Sequence, residues 1–227
     1  MSKVVVVAID GPAGAGKSTV ARTVAERLGY VYINTGAMYR AVALWALRLG
    51  FDLQEHLKLQ QLAEQARIEF QPASTRVFLN GEDITEALAD PAVSDAASIV
   101  SAVPGVRRAL VAEQRRIAEG ASVVMEGRDI GTVVFPDADV KLYLDASPEE
   151  RARRRANDPA HTGVPAAVSD VATLLTQRDE IDRTRAVSPL YAAADAIVVD
   201  TTGKDVDTVV REVLGVVREK RLGAPNA

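Results

Sequence analysis

The run Gly11-Pro12-Ala13-Gly14-Ala15-Gly16-Lys17-Ser18 has the G-x-x-x-x-G-K-[ST] spacing of a loop that grips phosphate. Glycines let the backbone curl until successive N–H groups point at one anion, and a helix starting at the lysine adds its positive end. Lys17 would reach the β and γ oxygens of a triphosphate, and the Ser18 hydroxyl is suited to ligating Mg²⁺. Gly11 to Thr19 are therefore the expected triphosphate-binding residues.

The loop alone leaves transfer, hydrolysis and sensing open. A guanine-nucleotide switch would pair Asn-Lys-x-Asp with Asp-x-x-Gly; Asn-Lys-x-Asp does not occur, since Gly203-Lys204-Asp205 lacks the Asn. A hydrolytic motor needs a strand-terminal carboxylate for Mg²⁺ and a group that positions water. Glu126 could supply the first, so that reading stays open. An acceptor that is itself a phosphate needs no general base, because its second pKa lies near ~6 and its attacking oxygen is already ionised at neutral pH. It needs cations instead, since two unit charges 4 Å apart repel by about 4 kcal/mol at an effective dielectric of 20. Forked arginines fix oxygen positions best, and they stand at expected loop ends and helix starts: Arg40, Arg128, the Arg151 to Arg155 cluster, Arg178, Arg183 and Arg185. The two histidines, His56 and His161, sit in polar surroundings and are assigned no chemistry.

Composition narrows the setting. At 227 residues, 48% hydrophobic and 26% charged, the chain suits one α/β domain with small inserts. It has no cysteine, which excludes disulfides and thiolate metal sites. Lys and Arg total 27 against 31 Asp and Glu, and the pI is near 5.3, which argues against bulk binding to nucleic acid. The apolar run Val4 to Ile9 is too short for a signal core or a membrane span, so a cytoplasmic, non-membrane protein is expected.

The elements that must carry these residues follow from periodicity. Val4 to Ile9 reads as a strand buried on both faces, and Val20, Val24 and Leu28 mark a helix from about Lys17 to Leu28, stopped by Gly29. A strand at Val31 to Ile33 leads to a helix carrying Met38, Val42, Trp45 and Leu49, and a further helical stretch runs from Glu55 to Ala66. The rhythm then breaks: Ile68 to Phe70, Arg76 to Leu79 and Glu82 to Ile84 read as short strands with an Asn80-Gly81 hairpin, inside an insert of about residues 53–98. A helix from Pro104 to Glu119 presents Val106, Leu110, Glu113 and Ile117, placing Arg107, Arg108, Arg115 and Arg116 on the opposite, solvated side. Strands at Ser122 to Met125 and Val140 to Leu144 follow, then a capping box at Ser147-Pro148-Glu149-Glu150 opening a helix. A loop over Asn157 to Pro165, a helix over Ala167 to Arg183, and a last strand and helix (Ala196 to Asp200, Asp205 to Arg221) complete the chain. Arg178-Asp179-x-x-Asp182-Arg183-x-Arg185 reads equally as an exposed ion-pair ladder or as part of the site.

Taken together, residues 10–19, Asn34-Thr-Gly-Ala-Met-Tyr-Arg40, Glu126-Gly-Arg-Asp-Ile-Gly-Thr-Val-Val-Phe-Pro136 and Arg183-Thr-Arg-Ala-Val-Ser-Pro-Leu190 resemble the bacterial cytidylate kinases of the long form. The resemblance implies a P-loop NTPase three-layer α/β fold with a central parallel sheet. It divides the chain into a core (1–33, 99–147, 186–227), a monophosphate-binding insert with a small antiparallel sheet (34–98) and a helical lid (148–185). It implies transfer of the γ-phosphate of Mg-ATP to CMP or dCMP, by a monomer without nucleic-acid partners. Thr35, Arg40, Arg128 and Arg185 would surround the acceptor phosphate; Ser98, Arg107 and Asp129 would read cytosine; Arg178 and Asp182 would hold the sugar; Arg154 would close on ATP. Lys17, Arg128, Arg154 and Arg185 would be the catalytic cations, and Ser18 the metal ligand. One departure is Asn34 where the family usually has Asp, which removes a charge beside the phosphate pocket. Two other readings remain: a P-loop kinase for another monophosphate or for a small alcohol, the latter with Asp129 as its base, and a nucleotide-gated binding module.

Overall fold

The computed structural model describes residues 4–71, 74–157 and 167–222. The chain runs β1 (Val6–Asp10), α1 (Lys17–Leu28), β2 (Val31–Asn34), α2 (Thr35–Arg48), α3 (His56–Gln65), β3 (Ile68–Phe70), β4 (Val77–Leu79), β5 (Glu82–Asp83) and α4 (Pro91–Val100). It continues through α5 (Pro104–Ile117), β6 (Val123–Glu126), β7 (Val140–Asp145), α6 (Pro148–Ala156), α7 (Val168–Thr184), β8 (Ile197–Asp200) and α8 (Val206–Leu222). Five strands form a parallel sheet in the order β2-β6-β1-β7-β8, and β3-β4-β5 form a separate antiparallel sheet.

The inner strands β1, β6 and β7 are buried on both faces, as their apolar runs require. Val7, Ile9, Leu142 and Leu144 pack with Val20 and Val24 of α1 and with Val210 and Val213 of α8. Ala8, Ile33 and Met125 face the other way, onto Ile130, Val134 and Ala118. Each of these valine, leucine, isoleucine and methionine side chains, fully buried, stabilises the fold by roughly 1.5–3 kcal/mol. The strands outlast their apolar runs: β1 ends on Asp10, β2 on Asn34, β6 on Glu126, β7 on Asp145 and β8 on Asp200. Pairing continues through Asn34 and Glu126 and through Asp145 and Asp200, so one edge of the sheet carries a row of polar side chains. Ligands of parallel α/β sheets bind at that edge.

The expected short strands form the small sheet. Asn80 and Gly81 have φ of 52° and 85°, the positive pair that a two-residue hairpin demands. This sheet packs with α2, α3, α4 and α5 through Met38, Leu59, Ile68, Leu79, Val100 and Leu110. Helix α4 was not expected from the sequence, although Asp90 caps it through the N–H of Ala92 and Pro91 opens it. On the opposite flank α6 and α7 pack through Ala152, Ala156, Val171 and Leu175 around Ala13 of the loop. Of the expected loop over Asn157 to Pro165, only Asn157 lies within the described residues. Among the described residues no helix is long and apolar enough to cross a membrane.

Candidate active site

The loop of residues 11–16 leaves β1 and turns into α1. Gly11 has φ 143°, and a Cβ there would stand 2.0 Å from the Leu144 carbonyl oxygen, so no side chain fits. Gly16, left-handed at φ 86°, precedes the first turn of α1. Lys17 is only 6% exposed, and its Nζ donates to the Pro12 carbonyl at 2.7 Å. Burial, and then the charge of Arg128, push its pKa from 10.5 to about 7, while Glu126 and Asp10 pull the other way. A buried ammonium with one neutral acceptor gains strongly from an arriving polyanion.

From this loop a cavity of about 890 Å³ extends between the small sheet's flank and α6–α7. Its lining brings together Ala13 to Thr19, Thr35, Arg40, Arg107, Arg128, Asp129, Arg154, Arg178, Asp182 and Arg185, residues that the sequence scatters over most of its length. Arg128 Nε donates to Asp182 Oδ2 at 2.8 Å, and Arg185 Nη1 to Asp182 Oδ1 at 3.3 Å. Arg107 Nη2 donates to Asp129 Oδ2, and the same guanidinium lies 5.4 Å from the ring centre of Tyr39. Arg40 Nε is buried with no hydrogen-bond partner, and burial, helped by Arg128, lowers Arg178 to about 10. Cations thus outnumber carboxylates in the cleft, and several are held in their charged form at a cost that an anion would remove.

Two carboxylates at the strand ends organise this surface from below. Asp10 accepts the N–H groups of Ile130 and Gly131, both at 2.8 Å, which ties the segment carrying Arg128 and Asp129 to the start of the phosphate loop. Burial outweighs these bonds and raises Asp10 to about 6. Glu126 Oε1 accepts the Tyr32 hydroxyl at 2.6 Å; burial and then the Glu126 charge hold Tyr32 well above its ordinary range.

The arginine cluster of α6 divides. Arg151 is buried and staples the flank, donating to Asp179 at 2.5 Å and to the Ala13 carbonyl at 3.2 Å. Arg154 lies in the cleft, on the Thr201 hydroxyl at 2.9 Å and the Thr201 carbonyl at 2.7 Å. Arg153 is exposed and pairs with Glu150.

Three sequence readings are revised. Arg107 does not lie on a solvated face: α5 buries Gly105, Val106, Arg107, Leu110 and Gln114, and Glu113 instead pairs with Arg116. The segment from 178 to 185 is no exposed ladder, since Asp179 and Asp182 are buried and only Arg183 of its arginines is exposed. The Ser98 hydroxyl turns to the Ser94 carbonyl at 3.3 Å, and Ala97 and Ser101 line the cavity in its place. Gly11 and Pro12 shape the loop without lining the cavity, and the Thr35 hydroxyl donates to the Glu126 carbonyl at 2.7 Å. Asn34 accepts the Ala37 N–H at 3.0 Å as the cap of α2, a role an amide fills as well as a carboxylate. Sequence reasoning overlooked Tyr39, Tyr32, Asp10 and Thr201. The first three sit inside or beside motifs already singled out, whereas Thr201 follows β8 with no local signal.

The model of the cytidylate kinase family matches residues 7–219. A cytidylate kinase from Solibacter usitatus is 54% identical over 220 residues, covering 96% of this chain and 94% of its own. One from Pelotomaculum thermopropionicum is 52% identical, covering 92% and 93%. Among solved structures, a shikimate kinase from Bacteroides thetaiotaomicron superposes with a TM-score of 0.52 at 13% identity, over 94% of this chain and 98% of its own, a likeness of fold alone. With the phosphate loop, the convergent arginines and such identity along nearly the whole length of these relatives, the chain belongs to the cytidylate kinase family.

Proposed function

We propose that the protein transfers the γ-phosphate of Mg-ATP to CMP or dCMP, giving ADP and CDP or dCDP. The observation that carries this reading is the convergence of Arg40, Arg128, Arg178 and Arg185 with Lys17 on one cleft that begins at the phosphate loop. Lys17 and the amides at the start of α1 hold the donor's phosphates, and Arg154, beside Gly16, flanks them. The arginines offset the repulsion between donor and acceptor and align the acceptor oxygen, which is already ionised. Asp129 is tied to Arg107, so it is not free to act as the base that an alcohol acceptor would require.

Cytosine presents an exocyclic amine donor beside acceptors at N3 and O2. A buried Asp129–Arg107 pair offers the complementary acceptor and donors, and Tyr39 walls the same end. Uracil reverses the pattern at positions 3 and 4 and would leave buried acceptors opposed. Asp182 and Arg178 are assigned to the sugar hydroxyls, and Ser98 joins the base subsite only if its hydroxyl turns from Ser94.

Mg²⁺ fits the donor set. Ser18 offers an exposed hydroxyl at the cavity lip and Glu126 a buried strand-end carboxylate, while among the described residues no group of three or more His, Cys, Asp or Glu could cage a metal. That is the pattern of an ion that keeps waters and takes phosphate oxygens. When bound, it supplies charge neutralisation between the β- and γ-phosphates. One chain provides every residue named, which supports a monomer. Phosphorus NMR of a mixture of protein, Mg-ATP and CMP tests the reaction: the γ signal should pass into a cytidine diphosphate, and its appearance as inorganic phosphate instead would refute transfer.

A further inference from the structure

The two arginines nearest each other in role, Arg128 and Arg185, are not free. Both are bound by a single carboxylate, Asp182, through Nε at 2.8 Å and Nη1 at 3.3 Å. Asp182 is 6% exposed, its carboxylate accepts from these two guanidiniums, and it lies on the cavity wall with both. Arg185 is incompletely satisfied by this arrangement. Its Nη2 is buried without a hydrogen-bond partner, 4.0 Å from Asp129 Oδ1.

We propose that Asp182 is a built-in competitor of the acceptor phosphate: its carboxylate occupies Arg128 and Arg185, so that a bare anion is rejected and a ligand carrying hydroxyl donors beside its phosphate is selected. The inference rests on the acceptor reading above and concerns how that site discriminates. An anion that takes both guanidiniums strands Asp182 as a buried charge without its hydrogen-bonded cations, leaving only the nearby charge of Arg178, which is unfavourable. Inorganic phosphate offers the stranded carboxylate nothing fixed in place. A nucleoside monophosphate offers two things at once: its phosphate replaces Asp182 on the arginines, and its sugar hydroxyls replace the arginines on Asp182. Each half of the exchange makes the other cheaper, so sugar and phosphate recognition are coupled. The coupling also answers a need of any such enzyme, since inorganic phosphate would otherwise block the acceptor site.

The test measures binding of inorganic phosphate to the full chain by calorimetry, alone and with saturating cytidine, in the wild type and in Asp182→Asn, alongside competition with CMP. Cytidine should tighten phosphate by about tenfold or more in the wild type, within the usual range of site coupling. Asp182→Asn, which no longer competes, should bind phosphate more tightly than the wild type, bind CMP more weakly, and lose the coupling. A residue that merely supports the fold would weaken both ligands together. If phosphate competes with CMP but cytidine leaves its affinity unchanged in the wild type, or Asp182→Asn binds phosphate no better, the competitor role is overturned and the acceptor reading stands. If phosphate fails to compete with CMP even in Asp182→Asn, the arginines are not the acceptor site and both readings fall. Should Asp182→Asn not fold, the wild-type coupling decides alone.

Discussion

Arg107 and Asp129 form an ion pair at one end of the cleft, with side-chain exposures of only 3% and 7%. Burial alone would lower the guanidinium's pKa, yet Tyr39 and Asp129 beside it hold it above the ordinary arginine value. Each partner therefore depends on the other for compensation.

Removing one partner should be costly in two ways. Asp129→Ala leaves a buried, uncompensated guanidinium and should lower stability by about 3–5 kcal/mol. In the molecules that remain folded, CMP affinity should fall far more than ATP affinity, measured by titrating each nucleotide separately. Equal losses for the two would remove Asp129 from base reading.

The same residues show where sequence reading succeeds and where it stops. Helix α1 has the expected bounds, and the Asn80-Gly81 turn and the Ser147 cap form as expected, because each is a local signal with a local cause. Periodicity alone misplaced Arg107, which the family resemblance had put at the base, because an apolar stripe is found by its hydrophobic members and α5 turns inward a face that includes Arg107 and Gln114. Strand ends escaped for a related reason. Asp10, Asn34, Glu126 and Asp145 end the apolar run in the sequence but not the hydrogen-bonded ladder, and those polar positions are where the site is built. Helix α4 escaped because it overlaps the stretch read as a sheet-bearing insert, although its Asp90-Pro91 start is a local signal.

Lys17→Ala should fold, since it removes a buried cation that the empty site holds at a cost, and should lose transfer by roughly 10²–10³-fold or more. The wild type carries a further signature. With its pKa near 7 in the empty protein, Lys17 is mostly neutral at pH 8, and a bound triphosphate favours its charged form. Binding of Mg-ATP at pH 8 should therefore take up protons, read by calorimetry in buffers of different ionisation enthalpy, and Lys17→Ala should abolish that uptake. The sign for stability follows too: between about 7 and 10.5 the unfolded chain holds a proton that the folded one has released, so this group makes the empty protein gain stability as pH rises. A wild type that binds ATP without proton uptake would contradict this account of Lys17.

Gly11→Ala should be damaging although it adds one methyl group. Its Cβ would meet the Leu144 carbonyl oxygen at 2.0 Å, so β1 and β7 must separate or the loop must shift. The expected cost is roughly 2–3 kcal/mol with loss of ATP binding. Gly203→Ala is the control: its φ is also positive, at 67°, but its added Cβ meets nothing within 4 Å, so it should leave nucleotide binding intact. Equal effects of the two on ATP binding would argue that steric closeness at the loop is not what matters.

The central claim is that the cleft joins a triphosphate grip to an acceptor site read by Asp129 and Arg107. The most direct measurement is ADP release from Mg-ATP with CMP, dCMP, UMP, AMP or GMP as acceptor. Turnover with CMP and dCMP should exceed that with the others by about 10²-fold or more, because a site built for one donor–acceptor pattern leaves buried polar groups unpaired with another. Comparable rates with AMP or GMP, or ADP release that does not depend on any acceptor, would contradict it.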